Sequence, residues 1–125
     1  RSDFREPKKI GGGFDSQYEQ VAIAGGIDHS FAVPTAKDFV VSYHDEKSGR
    51  VLEITTMEPS IQVYSGNFLN NTVLGKQNTA YQKHSGIAFE TQHFPDSVHH
   101  SNFPTIILHP GKQYFSETRL LFTTR

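Results

Sequence analysis

The sequence predicts an all-β protein whose antiparallel strands pack as a sandwich or as a barrel-like pair of sheets. Three observations support this prediction. Short runs of aromatic and β-branched residues recur along the chain, turn residues separate these runs, and no window of a dozen residues carries a helical stripe of apolar side chains. The length of 125 residues corresponds to about one domain.

The polar start of the chain does not predict a strand. Residues 1–20 are expected to form loop structure, because Gly11, Gly12 and Gly13 hold neither a helix nor a strand without a large loss of backbone entropy. Residues 18–24 are compatible with a short helical turn or with an extended piece.

Strands are predicted for most of the remaining chain. Residues 38–44 and 50–56 form a hairpin, because each run is rich in β-branched or aromatic residues and the loop 45–49 ends in glycine. Further strands are predicted at 60–64, at 85–92, at 105–108, and from 114 or 118 to 122. A Pro-Gly pair at 110–111 indicates a tight turn between the last two.

Composition narrows the class of function. Hydrophobic residues make up 35% and aromatic residues 12%, which excludes a disordered tail, a coiled coil and a collagen-like repeat. The net charge of −1 favours neither nucleic acid nor a membrane surface as a partner. The sequence contains no cysteine, so it has no disulfide and no thiolate metal site, and a cytoplasmic location is favoured. No apolar run approaches the roughly 20 residues that span a bilayer, and no signal peptide opens the sequence.

Glu90 is the most unusual charged residue, because it interrupts the aromatic strand 87–94. A carboxylate there needs a hydrogen-bonding partner if it is buried, and it could then serve as a general base. Strand alternation alone favours the simpler interpretation that Glu90 faces solvent.

Two other segments combine polar groups with turn residues. Asp28 follows Gly26 and precedes His29, which indicates either a ligand-binding turn or an Asx-type turn entering a strand. Gln62 opens a stretch of amide, hydroxyl and aromatic groups that ends at Phe68. Such groups bind sugar hydroxyls and pack on the apolar face of a sugar ring, but they also occur where a strand simply ends in a turn.

The seven histidines do not predict a metal site. His93, His99 and His100 lie near Asp96 in sequence, but adjacent histidines on a strand point to opposite faces and do not converge on one ion. A polar loop is favoured for this region. A serine nucleophile is equally unsupported, because the sequence lacks a Gly-x-Ser-x-Gly elbow.

Taken in order, these segments resemble the galactose mutarotase (aldose 1-epimerase) family. The matching motifs are Gly-x-Asp-His-x-Phe at 26–31, Gln-x-Tyr-x-Gly-Asn-Phe-Leu at 62–69, His-Ser-Gly-x-x-x-Glu-Thr-Gln-x-x-Pro-Asp at 84–96, Asn-Phe-Pro at 102–104 and Pro-Gly at 110–111. The likeness covers nearly the whole of residues 1–125 and corresponds to the C-terminal part of the family's single domain. It therefore implies a large antiparallel β-sandwich of which these residues form one part, with strand edges and an inner face exposed.

The resemblance also implies an activity, the interconversion of the α and β anomers of a free hexose such as galactose or glucose. Glu90 would be the base, Asp28 and Gln62 would bind the sugar, and no cofactor or metal would be needed. The family's acid histidine lies in an N-terminal part with no counterpart here, and His29 does not occupy its position. A companion chain carrying that part is therefore expected if the part is not in the same polypeptide.

Three other functions remain open at this point. A hexose-6-phosphate epimerase would require a cluster of basic residues at the far end of the sugar, and only Lys83 lies near the three motifs. A non-catalytic carbohydrate-binding or sugar-sensing module would keep Asp28 and Gln62 but would not depend on Glu90. A purely structural sandwich would bind no sugar.

Overall fold

β-strands dominate the computed structural model, which describes residues 3–13, 17–33 and 40–125. Helical structure in these residues consists of one short α-helix and three 3₁₀-helices. None of these helices has the length and apolar character needed to cross a bilayer. The all-β prediction is therefore confirmed.

Six strands form two three-stranded sheets. The strands are β1 (Asp28–Ala32), β2 (Val41–His44), β3 (Arg50–Thr56), β4 (Ser60–Tyr64), β5 (Ala88–Gln92) and β6 (Thr118–Thr124). One sheet has the order β1-β4-β5 and the other the order β2-β3-β6. Both pairs in the second sheet are antiparallel.

The hairpin formed by β2 and β3 confirms the clearest local prediction. Val41 is opposite Ile54 and His44 is opposite Val51. Asp45 shapes the connecting loop, since its carboxylate accepts hydrogen bonds from the Ser48 hydroxyl and from the Ser48 and Lys47 amides. These bonds, the Ser48 hydroxyl first, lower the pKa of Asp45. Residues 38 and 39 of the predicted strand lie outside the described residues.

The prediction of a strand at 105–108 is wrong. The structure has irregular backbone there, and the Ile107 amide donates to the Thr105 hydroxyl rather than to a neighbouring strand. Apolar, β-branched residues favour an extended chain, but a strand also needs a partner for its backbone groups, and the described residues supply none at this point.

Other boundaries differ from the sequence prediction. The strand predicted at 85–92 begins at Ala88, and the last strand begins at Thr118 and continues to Thr124. The glycines expected to be irregular form a 3₁₀-helix over Ile10–Gly13. Asp28, for which either a ligand-binding turn or an Asx-type turn entering a strand was predicted, is itself the first residue of β1.

The α-helix α1 (Glu19–Ala24) leads directly into β1. It buries Val21 and ends at Gly25, which has the left-handed backbone conformation (φ 66°) typical of a helix C-terminus. The amides of Gly25 and Gly26 donate to the carbonyls of Ala22 and Val21, so the chain turns sharply and enters β1 two residues later.

The chain divides into two compact units. The first comprises Arg1–His29 and Gln62–Glu90, and the second comprises Ser30–Ile61 and Thr91–Arg125. Few hydrophobic side chains of the described residues are fully buried, namely Val21 and Ile27 in the first unit and Val51, Ile54 and Ile61 in the second. The second sheet lies wholly in the second unit. Asp28, Gln62 and Glu90 all lie in the first.

Candidate functional site

A buried hydrogen-bond network, the "clamp", joins the segment that precedes Asp28 to the segment that follows Gln62. It consists of Ile27, Ser65 and Asn67, which are all buried. The Ile27 amide donates to the Ser65 hydroxyl (2.9 Å), and the Ile27 carbonyl accepts from the Ser65 amide (3.0 Å) and from Asn67 Nδ2 (3.0 Å). The Ser65 hydroxyl in turn donates to Asn67 Oδ1 (2.6 Å). These motif residues therefore hold two chain segments together through paired polar groups.

The backbone of Gly26 lies so close to the side chains of the clamp that there is no room for a Cβ atom. A Cβ atom on Gly26 would lie 2.8 Å from Asn67 Cγ and 2.9 Å from Ser65 Oγ, and the backbone has φ 153°. Both distances are too short for a side chain next to buried, hydrogen-bonded atoms. The first motif therefore requires glycine two residues before Asp28.

His84 connects the third motif to the second. Its Nδ1 lies 2.9 Å from the Ser65 carbonyl, and its backbone amide donates to the Gly66 carbonyl (3.0 Å). Since a carbonyl oxygen only accepts, His84 Nδ1 must carry the proton. Gly66 has φ 68°, and a Cβ there would approach the Gly86 carbonyl to 2.9 Å. The beginning of the third motif is thereby fixed against the end of the second.

The three predicted site residues lie on the three strands of one sheet. Asp28 begins β1, Gln62 lies in the middle of β4, and Glu90 lies in the middle of β5. The strand order β1-β4-β5 places Gln62 on the central strand, between the two that carry the carboxylates.

Asp28 and Gln62 are in direct contact. Gln62 Nε2 donates to Asp28 Oδ1 over 2.7 Å. Since a carboxylate only accepts, this bond fixes which end of the amide faces Asp28. Gln62 Oε1 is buried and has no hydrogen-bond partner among the described residues. Asp28 is exposed, so the carboxylate that Gln62 orients remains accessible to a ligand.

Glu90 is exposed on β5. Alternation along the strand alone predicts this result. Phe89 is the preceding residue of β5 and so points to the opposite face, and the Phe94 ring packs on the Phe103 ring with centroids 4.8 Å apart. In the described residues, therefore, Glu90 is accessible from solvent.

The side chains of His93, His99 and His100 do not converge on one point. His93 Nδ1 lies 2.9 Å from Glu58 Oε2, whereas His99 and His100 both contact Asp96. Within residues 3–13, 17–33 and 40–125, no three His, Asp or Glu side chains are grouped so that they could hold a metal ion. The Asp28 amide donates to His29 Nδ1 (3.0 Å), so a neutral His29 carries its proton on Nε2.

One carboxylate of the described residues, Glu58 in the second unit, is buried although its sequence context does not predict it. It is only 6% exposed and contacts His93, the Tyr114 hydroxyl and Ser116. Burial tends to raise the pKa of Glu58, but hydrogen bonds from Ser116 and Tyr114 and the nearby His93 outweigh it, so the pKa lies below its ordinary value of 4.5. A glutamate between two strands has the sequence pattern of an exposed turn, so nothing local reveals this burial.

The lowered pKa of Glu58 makes a pH-dependent contribution to stability. Because the folded state binds this proton more weakly than the unfolded state, the contribution is present above pH 4.5 and is lost as the pH falls through the folded-state pKa. We expect Glu58→Gln to lower the free energy of unfolding by about 1–2 kcal/mol at pH 7 and by less at pH 3, because the contribution declines as the pH falls below 4.5. Urea titrations between these pH values test this. The exposed Glu46→Gln is the control, and equal losses at both pH values for Glu58→Gln would contradict the assignment.

The fold and site together define an all-β protein that presents two carboxylates and an amide from adjacent strands, a set of groups suited to a ligand rich in hydroxyls. The family model described as aldose 1-epimerase matches residues 1–121. The chain belongs to the aldose 1-epimerase family.

Several known proteins are similar to this chain. The galactose mutarotases of Rattus norvegicus and Homo sapiens are each 39% identical over 123 residues, covering 97% of this chain and 34% of the relative. The aldose 1-epimerase of Escherichia coli is 35% identical over 127 residues, covering 96% of this chain and 36% of the relative. The 125 residues thus span about a third of the length of these curated relatives and match their C-terminal portion.

Solved structures agree with this family assignment. A GalM/aldose epimerase homologue from C. elegans superposes with a TM-score of 0.85 at 27% identity, covering 98% of this chain and 36% of that one. A galactose 1-epimerase from Lactobacillus acidophilus gives a TM-score of 0.61 at 28% identity over 72% of this chain. The predicted β-sandwich class is confirmed by this likeness.

Proposed function

We propose that the protein containing these residues is an aldose 1-epimerase that interconverts the α and β anomers of a free hexose. The observation that carries the proposal is the match of residues 1–121 to the family model. It is supported by the hydrogen bond between Gln62 and Asp28, which joins two motifs more than 30 residues apart in sequence. The names of the mammalian relatives refer to galactose, and galactose or glucose is the proposed substrate.

The proposed reaction is an acid–base ring opening. Glu90 accepts the proton of the anomeric hydroxyl, the bond between C1 and the ring oxygen breaks, and a histidine outside these 125 residues protonates the ring oxygen. Rotation about the C1–C2 bond turns the free aldehyde. As the ring closes on the other face, the histidine takes back the proton of the attacking hydroxyl and Glu90 returns its proton to the carbonyl oxygen. The step conserves protons and electrons and needs no cofactor.

The binding roles belong to Asp28 and Gln62. The Asp28 carboxylate accepts hydrogen bonds from sugar hydroxyls, and Gln62 provides a further polar contact beside it. The 125 residues act as the C-terminal part of one sandwich domain, completed by an N-terminal part in the same polypeptide or in a companion chain. The cytoplasmic location expected from the cysteine-free composition is retained as part of the proposal.

Polarimetry on freshly dissolved α-galactose and α-glucose tests the proposed function. We expect the protein as isolated to accelerate the approach to anomeric equilibrium well beyond the spontaneous rate. Acceleration confined to a hexose 6-phosphate would indicate the phosphosugar epimerase instead. Sugar binding without any acceleration would indicate a carbohydrate-binding module, and no binding would indicate a structural role.

Asp28→Ala is expected to weaken sugar binding. The loss of one charge-assisted hydrogen bond costs about 1.5–3 kcal/mol, which corresponds to a rise in KM of roughly 10- to 150-fold. Asp45→Ala is the matched control, because Asp45 is an exposed aspartate that bonds only within its own hairpin loop in the described structure. An unchanged KM for Asp28→Ala would remove Asp28 from the proposed site.

A further inference from the structure

One face of the second sheet is apolar in both rows that cross all three strands, whereas its two outer rows, Thr56–Thr118 and Arg50–Thr124, are polar. Residues directly opposite one another on neighbouring strands share a face. The two rows that cross all three strands are Val41–Ile54–Leu120 and Tyr43–Leu52–Phe122, and we call the surface that they form the apolar face. The rows of the other face mix polar and apolar residues, as in Ser42–Glu53–Leu121.

The apolar face is covered at its centre and uncovered at one edge. Ile54 on β3 is 1% exposed, whereas Leu120 and Phe122 on β6 are 55% and 72% exposed. All seven residues of β6 are exposed. Burying apolar side chains is favourable by roughly 25 cal/mol per Å². Covering Leu120 and Phe122 would therefore stabilise the protein, whereas Ile54 is already buried.

β6 also has a free hydrogen-bonding edge. The Met57 amide donates to the Glu117 carbonyl, and the Arg125 amide donates to the Gly49 carbonyl. These two bonds identify hydrogen-bonded pairs in the antiparallel register of β3 with β6, and such pairs recur at every second residue. Leu121 belongs to one of them, so its amide points towards β3. The amides of Leu120 and Phe122 therefore point away from β3, and no other strand of the described structure pairs with that side.

The edge lacks the features that usually prevent strand addition. β6 contains no proline, and its seven residues pair with β3 in one uninterrupted register without a bulge. Its single charged side chain, Arg119, forms an ion pair with Glu117 (2.8 Å). β6 is therefore a long, regular strand with an apolar centre, Leu120–Phe122, and native sheets rarely leave such an edge unpaired.

We infer that β6 is an internal strand of the assembled protein. A strand from the part of the aldose 1-epimerase fold beyond these 125 residues pairs with the free edge of β6 and covers Leu120 and Phe122. The occupant follows from the comparison with the C. elegans homologue, in which 98% of this chain aligns with only 36% of that one. The rest of such a fold is long enough to supply the strand that covers Leu120 and Phe122. The inference rests on family membership and not on the proposed anomerisation.

Residue-resolved hydrogen exchange on the protein as isolated tests the pairing. If a strand is added, the Leu120 and Phe122 amides exchange within about tenfold of the Leu121 amide, because all three are hydrogen-bonded. If β6 is an edge, protection alternates, and the Leu120 and Phe122 amides exchange on the order of 100-fold faster or more. That alternation would overturn the inference, whether or not the protein accelerates anomerisation.

The identity of the occupant is tested by mass and by a matched pair of variants. Native mass spectrometry is expected to show one copy of these residues together with the additional part of the fold. A particle made only of two 14.1 kDa copies would overturn the assigned occupant, as would a single 14.1 kDa chain.

Leu120→Asp and Leu121→Asp provide the matched variants, because the two leucines are 55% and 54% exposed but lie on opposite faces. We expect Leu120→Asp to speed exchange at Phe122 by about 30-fold or more, and Leu121→Asp to have a much smaller effect. Equal effects of the two variants would contradict coverage of the apolar face, and the wild-type exchange pattern decides the pairing if either variant fails to fold.

Discussion

Glu90→Gln is expected to retain sugar affinity and to lose nearly all catalysed anomerisation. The amide has almost the same size and still donates and accepts hydrogen bonds, but it cannot take the proton of the anomeric hydroxyl. General base catalysis contributes about 10²- to 10⁴-fold, so kcat should fall by that factor. Because Glu90 is exposed on β5 in the described structure, its replacement should leave the free energy of unfolding unchanged within about 0.5 kcal/mol.

Two measurements separate the loss of a base from other effects of this variant. Sugar affinity, measured by calorimetry, should stay within a few-fold of wild type while polarimetry shows the loss of turnover. Glu53→Gln is the control, since Glu53 is a strand glutamate in the other sheet that contacts Arg125. Normal anomerisation by Glu90→Gln would remove Glu90 from the mechanism. Loss of affinity together with turnover would make it a binding group instead.

Gly26→Ala is expected to have the largest effect of any single methyl group added to the site. The new Cβ would lie 2.8 Å from Asn67 Cγ and 2.9 Å from Ser65 Oγ, so the clamp must open to accept it. Overpacking of this kind costs about 1–3 kcal/mol of unfolding free energy. Because the clamp holds Ile27, the neighbour of Asp28, a displacement on the order of 1 Å at the carboxylate could lower kcat/KM by up to about 100-fold.

Gly86→Ala is the matched control for this substitution. Gly86 also belongs to a family motif, but a Cβ there meets nothing within 4 Å. Denaturant unfolding and anomerisation should both be close to wild type for Gly86→Ala. If Gly26→Ala behaved in the same way, the clamp would not be what fixes the position of Asp28.

Local sequence patterns were sufficient to predict β2 to β6, but they gave no strand with stated bounds at β1. The hairpin of β2 and β3 was predictable because its two β-branched runs flank a loop that ends in glycine, and that signal lies entirely within 16 residues of sequence. Residues 105–108 carry a similar apolar signal but form no strand. The difference is the availability of a pairing partner, which a short window of sequence does not contain.

The sequence predicts which residues form the candidate site, and their roles stay predictions, but it does not predict their contacts. The motif order pointed to Asp28, Gln62 and Glu90, and strand alternation predicted that Glu90 is exposed. The hydrogen bond between Gln62 and Asp28 could not be predicted, because it depends on the pairing of β1 with β4. Glu58 was missed for the same reason, since Tyr114, one of its partners, lies 56 residues further along the chain. The identities of partners distant in sequence are fixed by tertiary packing.

A structure of the isolated protein with galactose bound would test the central claim most directly. We expect a Glu90 carboxylate oxygen at about 2.6–3.2 Å from the anomeric oxygen, and the Asp28 carboxylate in hydrogen-bond contact with ring hydroxyls. A histidine from outside these 125 residues should face the ring oxygen. Galactose bound away from β1, β4 and β5, or bound there with its anomeric oxygen directed at another group, would contradict the proposed site.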